Sequence, residues 1–167
     1  GALLSRGPSL HTVACGFLGR GSAEQRHQRA LRTSFRSAIQ AVKINKERLG
    51  GSMSREQFWF FHPFRVRYSE IDGQGVVFNA HYLTYFDTTI TEYFRALGYD
   101  QYADAKQTGE DFHVVKSIIE YKAPARFDWE LDVGARVARI GNSSLTFELA
   151  IFLKGGNDAL VTGEIVW

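Results

Sequence analysis

From Phe58 onward the apolar and polar positions fall into a regular order. Over residues 62–69 they alternate, with Phe64, Val66 and Tyr68 on one side and Arg65, Arg67 and Ser69 on the other. A period of two predicts a half-buried strand. A loop bearing Gly73 and Gly75 follows, and then the period changes. Tyr82, Tyr85, Phe86, Ile90, Tyr93, Phe94 and Leu97 recur at spacings of three and four, which predicts a long helix over residues 79–97 with a broad apolar face. Asn79 stands where a helix is capped and Gly98 where one stops. After a polar loop, residues 112–122 are rich in β-formers and end before Pro124. Residues 131–140 alternate and close on Gly141-Asn142, a turn signal; residues 145–153 alternate and close on Gly155-Gly156-Asn157-Asp158. Residues 159–167 begin a last strand.

The order is therefore strand, long helix, then four strands joined largely by hairpins. An α+β fold, with an antiparallel sheet wrapped around one long helix, is the economical packing. A chain of 167 residues with 44% apolar content can bury one real core, so a single domain is expected. No stretch approaches the roughly 18 apolar residues that a membrane-spanning helix needs.

Charge divides the chain in two. Residues 1–52 hold nine Lys or Arg against two Glu, a net of +7; residues 53–167 hold eleven against sixteen acids, a net of −5. A contrast this sharp places the domain at 53–167 and a basic, non-domain segment before it. In that segment Leu31, Phe35, Ile39 and Val42 fall at helical spacing among Arg29, Arg32, Arg36 and Lys43. Three readings stand side by side: an over-extended reading frame or fusion remnant ahead of Met53, the only Met; a mitochondrial transit peptide; or a functional basic arm. The acidic part carries no basic patch for nucleic acid. Because the chain stops at Trp167 within a strand pattern, a C-terminal truncation of the domain is also expected.

Cys15 is the only cysteine, so no intrachain disulfide forms and the domain holds no cysteine nucleophile. A cytoplasmic location fits, or a mitochondrial one if residues 1–52 are a transit peptide. His62, His81 and His113 lack metal-ligand spacing; no metal and no cofactor is expected.

The segment that carries chemistry is Arg67-Tyr68-Ser69-Glu70-Ile71-Asp72-Gly73-Gln74-Gly75-Val76-Val77-Phe78-Asn79-Ala80-His81-Tyr82. A strand delivers Asp72 to a glycine-bearing loop, and the loop opens the long helix. The first turn of a helix has free N–H groups and a positive dipole end, which stabilise a developing oxyanion. A carboxylate a few residues earlier faces the same reacting carbon, a combination that suits attack on a thioester. The plainer alternative is that Asp72 is only the turn residue of an Asp-Gly pair. Tyr82, Tyr85 and Phe86 read first as helix core, and Lys122 and Arg126 as solvated charges or phosphate-binding cations.

Tyr68, Asp72, Gly75, Val76, Val77 and Tyr82, continued by Phe86, Glu92 and Gly98, resemble the 4-hydroxybenzoyl-CoA thioesterase family of hotdog proteins, in particular its YbgC-type acyl-CoA thioesterases. Glu120-Tyr121-Lys122-Ala123-Pro124-Ala125-Arg126-Phe127-Asp128 and Arg139-Ile140-Gly141-Asn142-Ser143-Ser144 match in kind. The resemblance implies hydrolysis of an acyl-CoA to free acid and CoA. Asp72 would be nucleophile or general base, and the backbone N–H around Asn79 would polarise the carbonyl. Tyr68, Gly75, Val76, Tyr82, Lys122 and Arg126 would contact substrate. It implies a homodimer or homotetramer whose sites use residues of two chains. YbgC-type members often carry His where this chain has Asn79, which leaves Asp72 and a water for proton transfer. The alternative is a non-catalytic hotdog protein that binds an acyl ligand or a protein partner. A dehydratase reading would want a His on the loop or helix, and Asn79 argues against it.

Overall fold

The computed structural model describes residues 53–109 and 111–167, so the basic segment expected over 1–52, with its amphipathic stretch, lies outside the described residues. Among the described residues five strands form one antiparallel sheet: β1 Phe60–Arg65, β2 Lys116–Tyr121, β3 Glu130–Ile140, β4 Leu145–Leu153 and β5 Ala159–Val166. Their order across the sheet is β1-β3-β4-β5-β2. The hairpins β3–β4 and β4–β5 turn where the Gly-Asn and Gly-Gly-Asn-Asp signals stand. One long helix, α1 (Asn79–Ala96), packs on the sheet, and a short one, α2 (Gln101–Thr108), follows it. Among the described residues no helix is long and apolar enough to cross a membrane.

The helical period decides what α1 buries. Tyr82, Tyr85, Phe86, Ile90, Tyr93 and Phe94 all lie on its buried face, with Thr89 among them. Against them stand alternate residues of the strands: Leu131, Val133, Ala135 and Val137 of β3, Phe147, Leu149 and Ile151 of β4, Val161 and Ile165 of β5. Fully burying a side chain of this size contributes roughly 1.5–3 kcal/mol, so this one interface dominates the core. Helix and sheet meet closely at Gly163, where an added Cβ would stand 2.6 Å from the Phe86 ring. The ladder slips between Val137 and Arg139 and between Ile151 and Phe152. Such bulges bend a strand, and here they help the sheet curve around the helix.

The structure departs from the sequence expectation in four places. The first strand ends at Arg65, and Tyr68–Glu70 form a 3-10 turn instead of continuing it. The Glu70 carboxylate accepts the Arg67 N–H at 2.8 Å, and a local bond of this kind competes with a sheet ladder. Tyr68, expected beside Phe64 and Val66, is consequently 77% exposed. The capping position belongs to Phe78, and Asn79 is the first helical residue. The expected polar loop after Gly98 contains α2, eight residues long; Asp100 caps it by accepting the Ala103 N–H at 2.9 Å, and Gly109 ends it at φ 72°. An element this short has too few turns for an apolar period to register. Finally, the strand expected over 112–122 is the shorter β2, which pairs with β5 alone and forms an edge.

Candidate active site

The loop between the 3-10 turn and α1 is a miniature hairpin. Ile71 bridges Val77 in antiparallel fashion. The Asp72 N–H donates to the Val76 carbonyl at 2.9 Å, and the Gly75 N–H donates to the Asp72 carbonyl at 2.9 Å. Asp72-Gly73-Gln74-Gly75 is thus the tip, and Gly75 sits at φ 73°, a left-handed conformation that favours glycine. Asp72 is half-buried. Its Oδ1 accepts the Gln74 N–H at 2.8 Å, the self-bond an aspartate makes in a turn. One oxygen therefore holds the loop in shape, and Oδ2 is left for other chemistry. A Cβ on Gly73 would meet nothing within 4 Å, so the space beside Asp72 is open.

The same loop delivers the start of α1. Val77 N–H donates to the Ala125 carbonyl, Phe78 N–H to the Glu70 carbonyl and His81 N–H to the Phe78 carbonyl, each at 2.9 Å. Phe78 supplies no side-chain cap. Asn79 and Ala80 are exposed, and their N–H groups have no backbone acceptor among the described residues. Two free N–H groups at the positive end of an 18-residue helix therefore stand at the foot of the loop whose tip is Asp72.

A third strip of chain runs alongside. Val76 bridges Arg126. The Tyr82 hydroxyl accepts the Ala125 N–H at 2.9 Å, and the Tyr121 hydroxyl donates to the Asn79 carbonyl at 3.3 Å. Asp72, Gly75, Val76, Asn79 and Arg126 are thereby brought to one end of the molecule. Tyr68 joins them there, its ring edge-on to Phe127 at 5.9 Å. Lys122 and Arg126 are exposed and make no ion pair among the described residues. Tyr82 supports this strip from the buried side. It is 3% exposed, burial pushes its phenol pKa up, and its hydroxyl holds backbone from below.

Sequence reasoning gave no site role to Glu70, Tyr121 or Phe127 and read Tyr85 as helix core. Glu70 is 2% exposed. Its carboxylate accepts from the Arg67 N–H at 2.8 Å, from Arg67 Nε at 2.9 Å and Nη2 at 2.5 Å, and from the Tyr85 hydroxyl at 2.7 Å. Burial pushes the Glu70 pKa up, but the bonds from Arg67 and Tyr85 outweigh it and hold the group below the usual carboxylate range. Burial and the Glu70 bond push the Tyr85 pKa up, so the phenol stays a donor. The available signal was an acid three residues after Arg67, just before the Asp72 loop.

The Thioesterase superfamily profile matches residues 74–160, from the tip of the loop through β5. The chain belongs to the thioesterase superfamily. It is 34% identical to the acyl-CoA thioesterase YbgC of Haemophilus influenzae over 89 residues, which span 53% of this chain and 65% of that protein. It is 34% identical to the acyl-CoA thioester hydrolase YbgC of Escherichia coli over 107 residues, 64% of this chain and 78% of that one. The fold superposes on the PA5185 protein of Pseudomonas aeruginosa with a TM-score of 0.59 at 35% identity, covering 70% of this chain and 79% of that one. This thioesterase-superfamily chain thus has the hotdog architecture that the family resemblance implied, and its class is that of thioester hydrolases. Asp72 lies two residues before the matched segment, so its role rests on the geometry of the loop.

Proposed function

We propose that the chain is an acyl-CoA thioesterase whose working carboxylate is Asp72. The observation that carries this reading is local: Asp72 and two free helix N–H groups, of Asn79 and Ala80, belong to one hairpin-and-helix motif. A thioester carbonyl placed between them is polarised by the N–H groups. Asp72 then acts in one of two ways. As general base it takes a proton from a water, whose oxygen attacks the carbonyl carbon. As nucleophile it attacks directly, and water later cleaves the acyl-aspartate anhydride. In both cases the C–S bond breaks, CoA leaves as a thiolate that takes up a proton, and the acyl group ends as a carboxylic acid. With Asn79 where a His often stands, no second titratable group assists. Exposed Lys122 and Arg126 suit the phosphates of CoA, and the Tyr68–Phe127 pair offers aromatic surface.

We infer that the active species is a homodimer or homotetramer. Strand β2 is an edge with exposed apolar residues, Ile118 and Tyr121, and Val114 and Val115 extend it. Unpaired edges of this kind invite a second strand. Light scattering alongside activity tests this part: an active, strictly monomeric species at micromolar concentration contradicts it.

Thiol release from a panel of acyl-CoAs tests the main reading. Turnover of at least one aliphatic or aromatic acyl-CoA is expected, with loss of turnover in Asp72→Asn. Tight acyl-CoA binding with no thiol release would instead mark a non-catalytic hotdog protein.

A further inference from the structure

Among the described residues Glu70 is the only buried acid, and the hydrolysis proposed above does not use it. A buried carboxylate is costly unless it is fully bonded, and this one accepts four hydrogen bonds. Their sources are what matter. Arg67 lies in the same 3-10 turn, whereas Tyr85 lies on α1, 15 residues away. The main chain of Glu70 makes a second link, since its carbonyl accepts the N–H of Phe78, the capping residue of the helix. One residue therefore ties both ends of the 71–77 hairpin to α1, once through its side chain and once through its backbone. Asp72 is two residues from this clamp on one side, and Asn79 is one residue beyond Phe78 on the other.

We propose that Glu70, through the Tyr85 hydroxyl, is a positioning residue that sets where Asp72 stands relative to the free N–H groups of α1. The proposal rests on the reading of Asp72 as the working carboxylate. A displacement of about 1 Å at a reacting group lowers rates by as much as 100-fold, so a loosened clamp costs turnover without touching substrate.

Three variants separate the possibilities. Tyr85→Phe removes one hydroxyl from a buried ring and keeps its shape; Glu70→Gln keeps the size and removes the charge. Each is expected to lower kcat by about 10-fold with KM nearly unchanged, since neither group meets substrate. Hydrogen exchange at the Gln74 and Gly75 amides, the bonds that define the loop tip, is expected to quicken in both. The deciding measurement adds Tyr85→Phe to Asp72→Asn. If Tyr85 acts through Asp72, the double variant is no slower than Asp72→Asn alone. A wild-type rate and unchanged loop exchange in Tyr85→Phe, beside a crippled Asp72→Asn, would overturn the positioning role and leave the Asp72 reading intact. An equal further loss from Tyr85→Phe in the Asp72→Asn background would also overturn it. Full activity of Asp72→Asn would overturn both. Should Glu70→Gln fail to fold, Tyr85→Phe and its exchange pattern still decide.

Discussion

At its C-terminal end α1 sits among rings. Phe94 meets Phe147 at 5.7 Å, Trp167 at 5.7 Å and Phe112 at 6.3 Å, and Tyr93 meets Phe147 at 5.8 Å. At its N-terminal end the same helix is held by directional bonds: Tyr85 to Glu70, Tyr82 to the Ala125 amide, Tyr121 to the Asn79 carbonyl, and Phe78 to the Glu70 carbonyl. Apolar burial is large and non-directional, and ring pairs prefer edge-to-face contact only loosely, so packing secures the helix without fixing any atom to a fraction of an ångström. Hydrogen bonds contribute less each, about 0.5–1.5 kcal/mol net, but they fix angle and distance. The lesson is a division of labour along one helix: rings alone crowd one end, and at the other directional bonds are added that fix the loop bearing Asp72.

Substitutions that strike one end only should break or sharpen that contrast. Phe94→Ala deletes a fully buried ring and is expected to cost about 3–5 kcal/mol of stability, read from urea midpoints, while the folded fraction keeps near-normal kcat. A kcat loss as large as the stability loss would mean that the two ends are not separable. Asp72→Asn is the converse. It should lower kcat by about 100-fold or more, about 2.7 kcal/mol of barrier, with the thermal midpoint nearly unchanged. Retention of most of the wild-type rate would remove Asp72 from the chemistry. Gly75→Ala forces a side chain into the left-handed region at φ 73°. The expected cost is about 1–2 kcal/mol, with a fall in kcat because the strained residue shapes the turn around Asp72. A stability loss with no change in kcat would show that the turn tolerates distortion.

The smallest effect is a pH dependence. The folded pKa of Glu70 lies below its ordinary 4.5, so the stability it supplies is complete at neutral pH. That contribution is lost as pH falls below about 4.5 and through the folded value. Because the Arg67 side chain is 73% exposed, the loss should stay under about 1 kcal/mol. Unfolding midpoints measured from neutral to acid pH should fall less in Glu70→Gln than in the wild type. Equal acid sensitivity would assign the effect to other carboxylates.

Much of this was legible in the chain itself. The strand and helix periods marked β3, β4, β5 and α1 because alternate or helically spaced residues of each enter the core between helix and sheet. The glycines at 75 and 98 marked real left-handed positions. The loop geometry was readable because Asp72, Gly75 and Asn79 are close in sequence and belong to one local hairpin-and-helix unit. The misses share one cause. Tyr68 left the strand because Glu70 bonds backward to Arg67; α2 forms on the strength of one aspartate cap; β2 pairs with β5, which lies about forty residues later. Each is decided by a partner that a period does not reveal.

Sequence alone therefore determined the fold class, the long helix and its buried face, and the candidate carboxylate beside a helix start. These follow from side-chain polarity and from contacts between near neighbours. Only the tertiary structure decided that β2 is one of the two edges of the sheet, that Tyr82 is buried, and that Glu70 and Tyr85 join the loop to the helix. The physical reason is that burial and hydrogen-bond partnership across long sequence separations exist only once the chain has packed.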